Sequence, residues 1–276
     1  MDDTIKIRIL ASGSKGNSAF VRVGDTRLLI DAGISCRRIV HGLRDIDESP
    51  EDLDAVLLTH EHSDHVKGMR VFLNNYPETH VFSTRGTLVG CEERFPMPQN
   101  WTPIAADGPF RVGEVTVDPF ELLHDASEPT GFRLDASGFS MGFVTDLGYW
   151  TDEIAEHLLG CRVLVVEANH DPHMLRTGPY PAFLKRRIAS SRGHLSNEQA
   201  RALVSRIAHP ELEWLVLAHL SEKNNAPELA IDEISPALPT GDTNIIAASK
   251  EPGQPIELAP SELPPSTRPV KQGVLF

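Results

Sequence analysis

Two observations in the sequence predict an α/β protein with a metal-binding edge. Short apolar runs typical of buried strands alternate with amphipathic stretches typical of helices. Histidines and carboxylates directly follow several of the apolar runs, which would bring them together at the ends of the strands. The densest group is Thr59-His60-Glu61-His62-Ser63-Asp64-His65, directly after the run Ala55-Val56-Leu57-Leu58.

The spacing within this group favours two metal ions over one. His60 and His62 are two residues apart, so both imidazoles project to the same side of an extended segment. The side chains of Asp64 and His65 can then face a second, neighbouring ion position. A single ion could not easily be coordinated by all four side chains. Two ions about 3.5–4 Å apart are a common hydrolytic arrangement. The alternative, a solvated polar turn, requires that no further ligands follow downstream.

Hydrophobic periodicity and turn residues predict the elements of the first half. We expect strands at residues 5–11, 18–23, 27–31, 55–58 and 80–83, and helices at residues 35–43, 66–75 and 84–93. The loop at residues 12–18 is small and polar, and it suits either a phosphate contact or an ordinary hairpin turn. Asp31 ends the third strand, where its carboxylate could accept a hydrogen bond from a metal-bound histidine.

The second half repeats the pattern of a polar side chain behind an apolar strand. We expect strands at residues 115–122, 131–135, 139–144, 162–166, 214–217 and 243–248, and helices at residues 152–159, 182–190, 198–208 and 227–234. Ser196 or Asn197 would cap the helix at 198–208. His124, Asp146 and His219 each follow a strand, and one such residue alone would usually be structural. Their repetition favours a shared site.

Composition limits the class of protein. The 276 residues suit one large domain or two small ones, and 40% hydrophobic with 24% charged residues is typical of a globular protein. No apolar run approaches the ~18 residues of a membrane span, and residues 1–6 lack the features of a secretion signal. Three widely separated cysteines, Cys36, Cys91 and Cys161, suit reduced, mostly buried thiols. We therefore expect a cytoplasmic protein with no membrane partner.

The net charge of −13 argues against a polyanionic substrate, but it is a property of the whole chain. Bound divalent ions would make the site itself more positive. Residues 172–197 contain no acidic side chain, and they carry Arg176, Lys185, Arg186, Arg187 and Arg192. Taken alone, this stretch suits a phosphate-backbone contact and a solvated helix face equally well.

The amino-acid composition of the chain changes at Ser249. Six prolines and few aromatic residues follow, which predicts a segment that cannot bury enough surface to order itself. We therefore divide the chain into a hydrolase domain at residues 1–248, a Pro-rich disordered linker at 249–271 and a terminal peptide at 272–276.

Taken together, these segments resemble the metallo-β-lactamase superfamily and, within it, the bacterial nucleases of the YycJ/WalJ type. The resemblance covers most of residues 7–230. Its most specific pieces are residues 12–18, 28–35, 59–68, 124–132, 145–148, 167–171, 178–197 and 217–227. It implies an αββα sandwich, an α/β fold with the metals at one edge of two sheets.

Position by position, the resemblance implies two divalent ions. His60, His62 and His124 would bind the first, Asp64, His65 and His219 would bind the second, and Asp146 would bridge them. Nitrogen and oxygen ligands allow zinc or manganese, and iron also fits. The resemblance implies hydrolysis of a phosphodiester, with Asp64 among the catalytic residues and the ions stabilising charge on the phosphate oxygens.

The resemblance also implies roles outside the ion site. His194, in Gly193-His194-Leu195-Ser196, resembles the histidine that ribonuclease Z-type phosphodiesterases place near the scissile phosphate. The alternative is a histidine that packs locally at a helix start, and we favour the role near the phosphate. Glu167 would either orient His194 or His219 or be a buried carboxylate at a strand end. The candidate substrate contacts are Ser12, Ser14, Asn17, Lys185, Arg186, Arg187, Ser196, Asn224 and Asn225.

Missing accessory features favour DNA as the substrate. The interval between Asp146 and His194 is too short for the long β-CASP insertion of related nucleases, and no long tRNA-gripping arm is evident. We expect a two-metal 5′→3′ exonuclease in DNA repair or replication. The alternative is a small-molecule hydrolase of the same fold, such as a glyoxalase II-like thioesterase, a lactonase or a β-lactamase. A third alternative is a non-catalytic interaction protein, which the complete ligand set disfavours.

The last five residues, Gln272-Gly273-Val274-Leu275-Phe276, resemble the Gln-x-x-Leu-Phe peptide with which bacterial replication and repair proteins dock on the DNA polymerase sliding clamp. Gln272 could form hydrogen bonds, and Leu275 and Phe276 could anchor in an apolar pocket. A flexible tether would let the docked enzyme reach DNA. The resemblance thus adds the sliding clamp to DNA as an expected partner.

Overall fold

The computed structural model describes residues 4–92, 95, 100–239 and 242–261. Its strands are β1 (Ile5–Ala11), β2 (Ser18–Val23), β3 (Thr26–Ile30), β4 (Ala55–Leu57), β5 (His80–Ser83), β6 (Trp101–Pro103), β7 (Phe110–Val112), β8 (Val115–Glu121), β9 (Thr130–Ala136), β10 (Phe139–Val144), β11 (Val163–Glu167), β12 (Trp214–Ala218), β13 (Asn244–Ala247) and β14 (Ile256–Leu258). Its α-helices are α1 (Cys36–Arg44), α2 (Ser63–Val66), α3 (Met69–Asn75), α4 (Arg85–Cys91), α5 (Asp152–Leu158), α6 (Pro172–Thr177), α7 (Ala182–Ile188), α8 (Asn197–Ile207) and α9 (Pro227–Ile234).

In the described part of the chain, the strands form two seven-stranded sheets. The first has the order β14-β1-β2-β3-β4-β5-β6, and the second has the order β13-β12-β11-β10-β9-β8-β7. The sheets pack face to face, and apolar side chains such as Ile7, Val21, Val165 and Val216 fill the layer between them. This layer is the central core of the protein.

Helices cover the outer face of each sheet. On the first sheet, Ile39 of α1 and Phe72 of α3 pack in one buried cluster with Leu29 of β3. On the second sheet, α5, α8 and α9 contribute to another cluster, in which Leu203 of α8 packs with Leu215 of β12. The αββα sandwich predicted from the sequence is therefore confirmed. Within the described ranges, no helix combines the length and the apolar character needed to cross a membrane.

The strand directions bring many strand ends to one edge. In the first sheet, β3, β4, β5 and β6 run parallel to one another. In the second sheet, β10, β11, β12 and β13 do the same. The carboxyl ends of parallel strands lie at the same edge of a sheet, where ligands commonly bind. The fold therefore gathers the residues that follow these strands.

The single helix expected at residues 66–75 is interrupted at Gly68, which separates α2 from α3. The Gly68 amide donates a hydrogen bond to the Ala32 carbonyl at 2.7 Å. A Cβ at Gly68 would lie 2.0 Å from the Ile34 carbonyl oxygen, so only glycine allows this close approach. The interruption lets the segment that follows His65 pack against the loop that follows β3.

The expectation that a disordered linker begins at residue 249 is wrong. Strand β14 pairs with β1 in antiparallel fashion and places Ile256 opposite Ile7. Ile256 and Leu258 are buried between the two sheets. The neighbouring prolines suggested disorder, but a three-residue edge strand fits between them. The fold thus extends beyond residue 248, while the rest of the linker from residue 262 and the terminal peptide at 272–276 lie outside the described residues.

Gly33 lies where the loop after β3 touches the metal-ligand segment, and a Cβ there would meet the Asp64 carbonyl oxygen at 1.6 Å. That oxygen accepts a hydrogen bond from the Asn17 amide at 2.7 Å. Because Gly33→Ala must displace this backbone, we expect it to lower the free energy of unfolding by about 1–3 kcal/mol in urea titrations. Gly108→Ala is the control, since its Cβ would meet nothing closer than 3.8 Å. Equal effects of the two substitutions would contradict the explanation.

Candidate active site

The ligands predicted from the sequence gather at one edge of the sandwich. They lie after the ends of β4, β8, β10 and β12, partly on the short helix α2. They are His60, His62, Asp64, His65, His124, Asp146 and His219. Their nitrogen and oxygen atoms form overlapping groups in which all atoms lie within 4.8 Å of one another. The fold therefore brings residues up to 159 positions apart into one cluster.

His60, His62 and His124 form the first group. Nε2 of His124 lies 3.4 Å from Nδ1 of His62. Nδ1 of His124 donates to the Gly193 carbonyl at 2.9 Å, which leaves Nε2 free to face the group. Nε2 of His60 is buried and has no hydrogen-bond partner among the described residues. Burying such an atom without a partner is costly, and a divalent ion is a suitable partner for it.

Asp64, His65 and His219 form the second group. Oδ2 of Asp64 lies 3.4 Å from Nε2 of His219 and 3.7 Å from Nε2 of His65. Asp31 supports His65 from behind, because its Oδ2 accepts a hydrogen bond from Nδ1 of His65 at 2.7 Å. The other oxygen of Asp31 accepts from the Thr59 amide at 2.9 Å. The Asp31 carboxylate thus occupies the supporting position that the sequence predicts for it.

Asp146 lies between the two groups. Its Oδ2 is 3.2 Å from Nε2 of His65, and its Oδ1 is 3.5 Å from Nδ1 of His219. Oδ1 is also 3.9 Å from Nε2 of His124, in the first group. A buried carboxylate between two sets of imidazoles is suited to bridge metal ions. The residues present therefore fit the divalent ions expected from the sequence.

Three residues at the site adopt a left-handed backbone conformation that is rare outside glycine. The φ angles are 60° at Asp31, 61° at Asp146 and 56° at His219. Such residues persist only when their surroundings hold them, and they cluster at functional sites. The His219 amide donates to Oγ of Ser12 at 2.7 Å, and the Asp31 amide donates to the Leu57 carbonyl at 2.9 Å. These bonds fix the turns that direct the side chains into the cluster.

The close packing of charges shifts the pKa values of the ligands. Burial alone would lower the pKa of His219, but the carboxylates beside it, Asp146 foremost, raise it to about 10. Burial would raise the pKa of Asp146, but His219 and His65 hold it well below its usual range. Burial and the neighbouring His65 lower the pKa of His60 well below that of a free histidine. His60 is therefore neutral at pH 7, the form that binds metal ions.

Glu167, at the end of β11, connects His194 with His219. Its Oε1 accepts hydrogen bonds from Nδ1 of His194 at 2.8 Å and from Nδ1 of His219 at 3.0 Å. Its Oε2 accepts from the amides of Leu195 at 2.9 Å and Leu147 at 3.2 Å. Burial would raise the pKa of Glu167, but the two histidines lower it to about 2. Its contacts with both rings therefore favour an orienting role over that of an isolated buried carboxylate.

A cavity of about 230 Å³ opens beside the cluster. Its lining is polar at His194, His219 and Asn169, and apolar at Leu184 and Ile188. The side chain of His194 is 20% exposed, so a molecule in the cavity can contact it. The cavity thus gives a substrate access to both His194 and the metal-ligand cluster.

Five predicted substrate contacts are buried and do not line the cavity. They are Ser12, Asn17, Ser196, Asn224 and Asn225. Oγ of Ser12 accepts a hydrogen bond from the His219 amide, and Nδ2 of Asn17 lies 3.0 Å from Nε2 of His65. Ser196 caps the amino end of α8 as predicted, and its Oγ accepts a hydrogen bond from the Gln199 amide at 3.2 Å. The side chains of Ser12, Asn17, Ser196 and Asn225 are engaged within the protein, which favours a positioning role over substrate binding. Oδ1 of Asn224 is buried without a hydrogen-bond partner among the described residues, so a substrate contact at Asn224 stays a prediction.

The other predicted contacts lie where a substrate could reach them. Ser14 and Arg187 line the cavity, and Arg186 is exposed on α7. Nζ of Lys185 donates to the Arg176 carbonyl at 2.7 Å, which holds this lysine close to α6. The cavity therefore has a basic border on the side of α7.

Asp125 is a functional candidate that sequence reasoning missed. Its Oδ1 lies 3.3 Å from Nε2 of His124 and 4.0 Å from Nε2 of His62. Its Oδ2 accepts a hydrogen bond from Nε of Arg187 at 2.6 Å. Asp125 thus connects the first ligand group with the basic border. Its position directly after His124 was the only signal in the sequence.

Asn169 was also missed. Its Nδ2 donates to the His219 carbonyl at 2.8 Å, and the residue lines the cavity. The sequence places it in the polar segment after β11, but nothing in that segment distinguishes its side chain from its neighbours.

Comparison with known proteins identifies related sequences and folds. A model of the β-lactamase superfamily domain matches residues 26–219. The exodeoxyribonuclease WalJ of Streptococcus pneumoniae is 37% identical over 229 residues, which cover 82% of this chain and 85% of that protein. The exodeoxyribonuclease YycJ of Bacillus anthracis is 35% identical over 234 residues, which cover 83% and 88% of the two chains.

Solved structures show the same fold at low sequence identity. The metallo-β-lactamase fold protein YhfI of Bacillus subtilis superposes with a TM-score of 0.69 at 16% identity, covering 93% of this chain and all of that one. Zn²⁺-bound PqqB of Methylobacterium extorquens gives a TM-score of 0.69 at 17% identity, covering 92% and 100% of the two chains. These likenesses establish the metallo-β-lactamase fold.

We expect metal binding to displace a proton from His219. Its pKa is about 10 in the metal-free protein, whereas a metal-bound imidazole gives up the proton of its ligating nitrogen. At pH 8, binding of Zn²⁺ or Mn²⁺ should therefore release about one more proton from the wild type than from His219→Ala. Affinity should also increase as the pH rises toward 10.

Calorimetry in two buffers of different ionisation enthalpy measures this release. His80→Ala is a matched control, because His80 is exposed on β5 and away from the cluster. Equal proton release by the wild type and His219→Ala would show that His219 is not charged in the metal-free protein.

Proposed function

Because the chain belongs to the β-lactamase superfamily and, within it, to the group of the WalJ and YycJ exodeoxyribonucleases, we propose that it is a metal-dependent exonuclease acting on DNA. The observation that carries this proposal is the pair of ligand groups joined by Asp146 beside a cavity with a basic border. A hydrolase of small neutral molecules has no need of Arg187 in the lining of the cavity or of the exposed Arg186 next to it on α7.

The proposed cofactors are two divalent metal ions. His60, His62 and His124 would hold one ion, Asp64, His65 and His219 would hold the other, and Asp146 would contact both. Zinc and manganese both suit this set of nitrogen and oxygen ligands, and iron also fits. When bound, the ions would activate water and neutralise charge on the phosphate.

His194 is the proposed proton donor. Its Nδ1 donates to Glu167, so the ring orientation is fixed and Nε2 remains for a substrate. From this position the imidazole can donate a proton to a phosphate oxygen or to the leaving oxygen. Glu167 acts as a positioning residue, because its carboxylate touches His194 and His219 and is fully buried away from the cavity.

Asp64 is proposed to act in catalysis as well as in metal binding. Burial would raise the pKa of its carboxyl, but a hydrogen bond to His219 and the charge of His65 keep it below its usual value. The carboxylate is therefore ionised at neutral pH and can accept a hydrogen bond from the attacking water. Its side chain is 20% exposed, in contrast to the fully buried His65.

The basic border is proposed to bind the DNA backbone. Nε of Arg187 is held by Asp125, which orients the rest of the guanidinium for a phosphate. Arg186, Lys185 and Ser14 would add weaker contacts along the strand. We further propose a 5′→3′ direction, a role in repair or replication and a cytoplasmic location.

The function is tested by degradation of duplex DNA labelled at the 5′ or the 3′ end. Metal-free protein reconstituted with Mn²⁺ or Zn²⁺ should release nucleotides from the 5′ end. Asp146→Ala should reduce the rate by at least about 10³-fold, because it removes the bridge between the ligand groups. The control is Asp152→Ala, an exposed carboxylate on α5. Full metal occupancy without cleavage of either duplex or of its separated strands would reject the nuclease and direct attention to thioesters and lactones.

The terminal peptide is proposed to bind the DNA polymerase sliding clamp. Deletion of residues 272–276 should abolish clamp binding in a pull-down or by surface plasmon resonance, because Gln272, Leu275 and Phe276 are the proposed anchors. The same deletion should leave the rate on free oligonucleotides unchanged. Replacing Gly273 and Val274 by alanine provides the control within the peptide. Unaltered clamp affinity of the deletion variant would refute this proposal.

A further inference from the structure

One wall of the cavity is apolar and partly aromatic, although the cavity belongs to a site for a charged substrate. Tyr180, Leu184 and Ile188 line it from α7 and the segment before it. Leu184 and Ile188 are four residues apart, so they lie on the same face of the helix. Arg187 lies one turn from Leu184 and lines the cavity as well. The wall thus combines apolar surface with one arginine, whose Nε is bound by Asp125 of the same lining.

The opposite part of the lining belongs to the hydrolytic machinery. His194 and His219 line the same cavity, and Glu167 holds both rings. A phosphate placed at these histidines would have its own sugar and base within reach of the apolar wall. The metal ligands and His194 need only the phosphate, so they leave the wall without a role in the chemical step. A nucleobase is the part of a nucleotide that an aromatic and apolar surface recognises.

The size of the cavity limits what it can hold. Its volume is about 230 Å³. Pockets that take drug-sized ligands are larger, roughly 300–1,000 Å³. The cavity is also open to solvent on one side. A space of this size matches a single base better than a base pair, so we take one unpaired nucleotide as the unit that enters.

A second aromatic side chain lies just outside the cavity. Phe183 is 67% exposed, which is the highest exposure among the large apolar side chains of the described residues. It precedes Leu184 on α7 and is four residues from Arg187, so it lies beside the border of the cavity. An exposed aromatic ring next to a phosphate-binding arginine is the arrangement on which single-stranded nucleic acid stacks.

We propose that the wall formed by Tyr180, Leu184 and Ile188 binds the base of the terminal nucleotide of an unpaired strand, and that Phe183 stacks on the neighbouring base. The inference rests on the proposed nuclease function and specifies its substrate, a single-stranded or frayed DNA end. Binding through stacking reads no base edge, so the enzyme discriminates little between sequences. A paired end reacts only as fast as it opens.

The test removes the terminal base from the substrate and, separately, truncates side chains of the apolar wall in the protein. Single-stranded oligonucleotides carry either a normal nucleotide or a stable tetrahydrofuran abasic analogue at the end from which the wild type removes nucleotides. The wild type should have a kcat/KM about 5- to 150-fold lower for the abasic end, equivalent to the roughly 1–3 kcal/mol of stacking one base. In the double variant Tyr180→Ala and Leu184→Ala, this ratio should fall toward one.

Leu229→Ala is the matched control, because Leu229 is a half-exposed leucine on α9 and does not line the cavity. It should keep the ratio of the wild type. A blunt duplex should also react more slowly than the same duplex with a mismatched terminal pair. Equal rates of the wild type on normal and abasic ends, or a ratio unchanged in the double variant, would overturn the inference. Failure of the wild type to cleave any DNA would instead reject the nuclease function itself.

Discussion

The carboxylate of Asp146 is buried among histidines from both halves of the sandwich, and the arrangement of the site depends on this contact. His65 belongs to the first half, while His124 and His219 belong to the second. An ionised carboxylate in the interior is stable only when charges and hydrogen bonds around it compensate for its lost hydration. The two sheets therefore meet at their polar edge through electrostatics, whereas elsewhere they meet through apolar packing.

The ligands are held by a second layer of hydrogen bonds that leaves few of them free to rotate. Asp31 holds His65, Glu167 holds His219 and His194, and the Gly193 carbonyl holds His124. Each supporting group fixes which ring nitrogen faces the cluster, and such outer contacts tune metal affinity. Because Gly193 and His194 are neighbours, the loop before α8 both holds the candidate metal ligand His124 and carries the proposed proton donor. Changes in this loop would affect both together.

The sequence was sufficient to predict that these histidines and carboxylates lie together, because each follows an apolar strand and parallel strands end at the same edge. The sequence was insufficient to predict the roles of Ser12, Asn17 and Ser196, because a polar side chain in a loop can point toward the substrate or into the protein. Asp125 and the apolar wall were missed for a related reason, since their roles depend on which distant helix packs beside them. Strand β14 was missed because the prolines on both sides of it suggested disorder.

The pairing of β14 with β1 has a consequence for where the end of the chain leaves the fold. β1 runs toward the active site, since Ser12 follows it and contacts His219, so the antiparallel β14 runs away from the site. Beyond β14, the Ser261 amide donates to the Gly138 carbonyl at 3.0 Å, in the turn at the start of β10, whose far end carries Asp146. Ser261 thus lies on the side of the sandwich opposite the candidate active site. A partner protein that binds next to Ser261 would contact this opposite side and leave the cavity open to substrate.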